Sequence, residues 1–259
     1  MNILAFFAHP DDETILSGGA LALLARNGAA VYYLCATRGE GGEVGEPPLC
    51  SQEELGGVRT QELVKAVHAL GGRSLTFLGY TDPPVGPGEK LFAYTQNITA
   101  LAGQLDASIR QFQVDVVITH GSNGEYGHPA HLVSHQAARI AVESFTLTDP
   151  ERTSPLLYTV SAAYPGHPRP RRANQDDSAH LLIDVSEVLD FKAEAAMCHR
   201  TQHALFVRRA SEAAGRMLSV PETLLIEESL HRALPPAESS VDDEFARLLK
   251  PWNKLSSRR

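Results

Sequence analysis

Two short stretches concentrate side chains that do metal and acid–base chemistry: His9-Pro10-Asp11-Asp12-Glu13 and Tyr126-Gly127-His128-Pro129-Ala130-His131. Carboxylates suit a helix N-terminus, but three of them beside a histidine hold more charge than a cap requires. An imidazole next to a carboxylate is a natural start for a divalent-metal site. In the second stretch, two histidines three residues apart straddle the start of a helix and can face one pocket in different roles. Two neutral imidazoles and one carboxylate leave a coordination position open for water, the pattern of a catalytic centre rather than a structural one. A zinc ion in such a centre lowers the pKa of its water to about 7. A spare carboxylate then serves as general base and a spare imidazole as acid or oxyanion partner. The two stretches supply both, in Asp11 and His128. The other histidines His68, His135, His167, His180, His203 and His231 read as solvated.

These groups act together only if the fold brings them to one place. The front of the chain alternates short apolar runs with helical stretches, the pattern of an α/β protein, Rossmann-like, with a mostly parallel sheet flanked by helices. Strands are expected at 3–8, 30–36, 75–78 and 114–119, and helices at 13–26, 52–70, 95–112 and 130–144. His9 leaves the first strand, and the second stretch follows the fourth. In such sheets, ligands bind outside the carboxyl ends of the strands, so the two converge if strands one and four are neighbours at a topological switch point. After Asp149-Pro150 the pattern is less regular: a strand at 158–164, a loop at 165–174 rich in Pro and Arg, a strand at 181–183 and a helix at 186–201. The domain is expected to span 1–233, with 234–259 a peripheral extension that closes on a basic tail. A loop at 37–48 carries Arg38, Glu40 and Glu43 among glycines and is placed to cover the site. Arg169, Arg171 and Arg172 read as solvated surface.

Composition narrows the classes. The chain has 259 residues, enough to bury a core without staples, and a net charge of −8, unlike a general nucleic-acid binder. Three scattered cysteines make no disulfide framework, so a reducing cytoplasm is expected. The first eight residues read as a buried strand, not as a secretion signal or a membrane span. The turn after strand one lacks a Gly-rich phosphate cradle, and its carboxylates would repel a dinucleotide.

The Ala8–Glu13 and Gly127–His131 motifs, Arg59 three residues before Glu62, and Lys192 with His199–Gln202 together resemble the LmbE-like/PIG-L family of N-acetylglucosamine deacetylases. That family includes the deacetylases of mycothiol and bacillithiol biosynthesis. The resemblance covers roughly residues 1–200. It implies that His9, Asp12 and His131 hold the metal, Zn2+ or another divalent ion such as Fe2+. It also implies Asp11 as base, His128 as proton donor or charge stabiliser, Tyr126 at the oxyanion, and Arg59 as a substrate contact. Ala130 stands where members often carry Asp, a position that supports the ligands without being one. The expected activity is hydrolytic removal of an N-acetyl group from a small amino-sugar conjugate, with no nucleic-acid or membrane partner. A thiol-cofactor conjugate is an alternative substrate, and a catalytically silent metal-binding protein an alternative class. The oligomeric state stays open, a homo-oligomer included.

Overall fold

The computed structural model describes residues 1–148, 153–237 and 240–257; Asp149-Pro150, after which the sequence pattern is less regular, and the last two residues of the basic tail lie outside them. Apolar runs form the parallel strands β1 (Asn2–Phe7), β2 (Ala30–Thr37), β3 (Ser74–Tyr80), β4 (Val116–Thr119) and β5 (Leu156–Val160), all but the half-buried edge strand β3 largely buried. Between them lie α1 (Asp12–Arg26), α2 (Leu55–Ala69), α3 (Ile98–Gln111), the single turn α4 (Gly124–Gly127) and α5 (Pro129–Thr148). The sheet order is β3-β2-β1-β4-β5-β9-β8, where β8 is Leu181–Asp184 and β9 is Glu227–Leu234. The chain winds outward from β1 to β3, returns, and continues through β4, so β1 and β4 pair in parallel, Ile3 opposite Val116. The switch point expected from the sequence is therefore present. Alternation along β1 divides the core. Ile3, Ala5 and Phe7 meet α1 and α2 on one face, whereas Leu4, Phe6 and Ala8 meet α3 and α5 on the other.

The second half differs from its sequence reading in detail. The strand expected at 158–164 breaks at Ser161, whose φ is 52°. Beyond that turn, β6 (Ala162–Ala163) pairs with β7 (Asn174–Ser178) in a small second sheet. The helix expected at 186–201 is α6 (Leu189–Cys198), stopped at His199, and α7 (His203–Ala214) follows. β9 inserts antiparallel between β5 and β8. Residues beyond Leu234 add α8 (Glu244–Leu249), whose Phe245 and Leu249 are fully buried. Phe245 stacks 4.5 Å from Tyr158 between ring centroids, and the Tyr158 hydroxyl donates to Asp243 at 2.6 Å.

α1 is not a simple helix. Ser17 leaves helical geometry (φ −151°), which frees the N–H groups of Gly19 and Ala20 to donate to the buried carboxylate of Glu228 at 2.9 and 2.7 Å. Lys192, fully buried, pairs with the same carboxylate at 2.7 Å. Gly19 is required there, because a Cβ would lie 2.4 Å from Val185 Cβ. Among the described residues, no helix is long and apolar enough to cross a membrane.

Candidate active site

Each side chain of the site leaves the carboxyl end of a neighbouring parallel strand. His9 follows β1, the glycine loop follows β2, Asp82 follows β3, and His120 follows β4. His131 lies in the first turn of α5, and its ring centroid is 5.5 Å from that of His9 and 4.5 Å from that of His128. Asp12 stands between two imidazoles: Oδ2 is 3.3 Å from His9 Nδ1, and Oδ1 is 3.4 Å from His131 Nε2. All are buried. The sequence-expected ligands His9, Asp12 and His131 thus meet, with Asp11, Tyr126 and His128 beside them.

The hydrogen bonds sort the imidazoles. Ionised carboxylates only accept, so His131 Nδ1–H donates to Glu125 Oε2 at 2.5 Å, leaving Nε2 buried and turned inward with no hydrogen-bond partner. His9 Nε2 lies 3.2 Å from Asp82 Oδ1, which leaves Nδ1 facing Asp12. Both rings thus present one nitrogen inward and have a carboxylate behind the other, the support that metal-ligating histidines characteristically receive. His128 differs: Ala130 N–H donates to its Nδ1 at 3.2 Å, so the proton sits on Nε2. His120 also differs, because its Nε2 accepts from Ala8 N–H at 3.0 Å while Nδ1 faces Glu125 at 3.1 Å. Two groupings of potential ligands, His9-His128-His131 and Asp12-His120-His131, overlap at His131. In His128 and His120 one ring nitrogen is already engaged by a backbone N–H group. The unpartnered Nε2 and the carboxylate between two inward nitrogens fit a divalent cation.

Charge in the cluster is strongly coupled. Burial disfavours an imidazolium, yet Asp82 and Asp12 raise His9 to about 9, and Asp12 and Glu125 raise His131 to about 10. Asp12 is held well below the usual carboxylate range despite its burial, chiefly by His131 and His120. A cation bound here would displace those two protons, as metal ligands must give them up. Burial, followed by the cationic rings of His131 and His9, lowers His128 to about 3, so it stays neutral.

Asp11 has a left-handed backbone, φ 102°, a conformation that costs a non-glycine residue about 1–3 kcal/mol. Glu13 Oε2 accepts its N–H at 2.9 Å, and Glu13 Oε1 is held by Thr14 at 2.5 Å and His199 at 3.0 Å. This turn sends the Asp11 carboxylate to Arg59 Nη2, 3.3 Å away, instead of to the imidazoles. Arg59, 3% exposed, also donates to the carbonyls of Pro10 and Gly39, and lies beneath the site. The 37–48 loop folds onto it: a Cβ on Gly39 would fall 2.2 Å from the guanidinium. The loop's Glu40 accepts Asp82 N–H at 3.0 Å. The more distant motif residues brace the same region. Glu62 accepts from Thr201 N at 2.9 Å and Oγ1 at 2.7 Å, and Gln202 donates to the Glu43 carbonyl at 2.8 Å.

Sequence reasoning did not find Asp82, His120, Glu125 or Asn174. Asp82 and His120 did carry a signal, since each directly follows a parallel strand at the edge where His9 lies. Asn174 gave none; its amide brackets Glu125 from residue 174, through Glu125 N–H at 3.0 Å and Oε1 at 3.2 Å. His135, expected in solvent, is buried with Nδ1 3.0 Å from the His120 carbonyl, and His180 is buried as well. The arginines of the 165–174 loop divide: Arg171 is exposed, whereas Arg169 and Arg172 are half-buried and line a cavity that opens beside Asp11, Asp12 and Tyr126. Tyr126, half-exposed, borders that cavity, its ring 5.6 Å from that of His128.

Fold and site define an α/β protein with a histidine–aspartate centre of metal-ligating chemistry at the switch point of its sheet. The chain belongs to the PIG-L family, GlcNAc-PI de-N-acetylase, whose profile matches residues 4–142. Among curated proteins it is similar to 1D-myo-inositol 2-acetamido-2-deoxy-alpha-D-glucopyranoside deacetylase of Rhodococcus erythropolis, 32% identical over 237 residues, covering 77% of this chain and 80% of the relative. Among solved structures it resembles N,N'-diacetylchitobiose deacetylase from Pyrococcus horikoshii, with a TM-score of 0.61, 20% identity, and coverage of 89% of this chain and 82% of that one. It resembles 4-carboxy-2-hydroxymuconate hydratase from Pseudomonas putida with the same TM-score of 0.61, at 19% identity over 93% and 99% of the two chains. The fold alone therefore does not choose the reaction.

Proposed function

We propose that the protein is a metal-dependent hydrolase that removes an N-acetyl group from an N-acetylglucosaminyl conjugate, with His9, Asp12 and His131 holding the cation. The observation that carries this reading is the inward Nε2 of His131, buried without a hydrogen-bond partner while Glu125 holds the other ring nitrogen. When bound, the cation supplies Lewis-acid charge for the acyl oxygen and makes its water easier to deprotonate; zinc and ferrous iron both suit this donor set.

This chain's residues do the rest. Asp11 accepts the proton of the attacking water and returns it to the departing nitrogen as the C–N bond breaks, giving acetate and the free amine. His128, neutral with its proton on Nε2, donates a hydrogen bond to the developing oxyanion, and Tyr126 assists. Burial pushes the Tyr126 hydroxyl above its ordinary range, which keeps it a donor. Arg59 serves as a positioning residue for Asp11. Its guanidinium is committed to Asp11, Pro10 and Gly39, which disfavours the substrate contact expected from the resemblance. Neither Asp11 nor His128 is needed merely to hold a metal, which favours an enzyme over a silent metal-binding protein. The three unpaired cysteines fit a reducing cytoplasm. The test is acetate release from a panel of N-acetylglucosaminides, compared between the wild type and Asp11→Asn. Release from at least one conjugate, lost in the variant, supports the reading; release from none, with cation present, would end it.

A further inference from the structure

Beside the catalytic cluster, the cavity has two ends. Asp11, Asp12 and His131 form one; Arg169 and Arg172 form the other, with Leu16, Leu205, Phe206 and Leu225 among the apolar walls. Tyr126 is the step between them. Arg172 Cζ stands 5.9 Å over its ring, whose edge-on neighbours are His128 and His131 at 5.6 and 5.7 Å.

The two guanidiniums are under-partnered for their surroundings. The chain carries an excess of acid, net −8. Arg139, Arg208, Arg216, Arg232 and Arg247 each have a carboxylate within ion-pair range, whereas Arg26 and Arg38 lie over aromatic rings. Arg169 instead donates to the carbonyl of Thr223, and Arg172 rests on an aromatic ring. Neither has a carboxylate within that range among the described residues. Burial, and then Arg172, hold Arg169 below its ordinary range, the sign of positive charge left uncompensated. Two like charges side by side against apolar walls are costly unless an anion joins them.

We propose that this end of the cavity is an anion subsite, which receives a carboxylate or phosphate carried on the substrate away from the scissile amide. The inference deepens the deacetylase reading and rests on it for which bond faces Asp11. A guanidinium fork matches either anion in bidentate fashion, and the apolar walls strengthen the pairing by lowering the local dielectric. Charge also sets direction: Arg169 and Arg172 hold the anionic end of a conjugate, which leaves its acetamido group toward the catalytic cluster.

The test is calorimetric binding of three deacetylated ligands: methyl glucosaminide, carboxymethyl glucosaminide and glucosamine 1-phosphate. One or both anionic ligands should bind at least about tenfold tighter than the methyl glycoside, as expected for a charge-assisted pair in a partly dry cavity. Which anion gains more tells carboxylate from phosphate. The ratio should fall toward one in Arg172→Gln and in the double variant with Arg169→Gln, and survive in Arg171→Gln. Equal affinities in the wild type, or a ratio that survives the double variant, would overturn the subsite. Acetate release from the N-acetylated forms is measured in parallel. A preserved binding ratio without any acetate would overturn the deacetylase reading and leave the subsite standing; acetate release with a ratio of one would do the reverse.

Discussion

Asp11 and Asp12 are adjacent in sequence, yet they serve opposite sides of the site because the chain turns left-handed at Asp11. Asp12 faces His9 and His131, and Asp11 faces Arg59. Asp11→Asn keeps the shape but cannot take a proton, so metal content should be retained while turnover drops roughly 10²–10⁴-fold. Asp12→Asn should lose the metal instead. Elemental analysis with initial rates checks both, and the reverse pattern would swap the two roles. Burial pushes the Asp11 carboxyl up to about 6, against the pull of Arg59. At saturating metal, turnover should therefore rise with pH as the base loses its proton, along a limb that the bound cation shifts to lower pH. Arg59→Gln removes a cation that favours the charged carboxylate, so the pKa of Asp11 rises and the acid limb moves to higher pH. Rate–pH curves of the two proteins test this; a limb that stays in place would separate Arg59 from Asp11.

At the scale of elements, the site is assembled by turns at strand ends, and these turns were only partly legible. The His9 and His131 segments announced themselves through residue type, and β1 and β4 through continuous apolar runs. Asp82 and Glu125 are single carboxylates, one in a loop and one in the short turn α4, and their work behind the imidazoles depends on a sheet register that local patterning does not encode. β7, Asn-Gln-Asp-Asp-Ser, has no strand character by composition. It is held where it is by side-chain bonds from Asn174, Asp176 and Asp177 to the turn after β4. That turn depends on Gly121, where a Cβ would lie 2.0 Å from the Asn174 amide. Gly121→Ala should push Asn174 off Glu125 and loosen the support of His131, weakening metal affinity about 10–100-fold. A competition titration against a chelator measures the change; unaltered affinity would show that Glu125 does not depend on Asn174.

For the whole molecule, the parallel front half was readable because each buried strand and amphipathic helix satisfies its own periodicity. The rear half was not, since β9 carries Glu227, Glu228, His231 and Arg232 in eight residues and is held by neighbours from distant parts of the chain. The stretch after Leu234 looked peripheral because Pro235-Pro236 opens it, but Phe245 fills the space against Tyr158. Phe245→Ala should cost about 3–5 kcal/mol of stability, read by denaturant unfolding, with turnover of the folded fraction unchanged. A loss below about 0.5 kcal/mol, what a surface site gives, would mean that α8 is dispensable. All of these elements converge on one claim, that a cation held by His9, Asp12 and His131 is what makes the chain a deacetylase. The most direct measurement is acetate release by chelator-stripped protein titrated with zinc or, under anaerobic conditions, ferrous iron, with His131→Ala alongside. Release should be absent at first, rise with added cation and saturate at one ion per chain, and stay absent in the variant at matched cation. Equal release before and after stripping, or a variant that binds and turns over like the wild type, would contradict it.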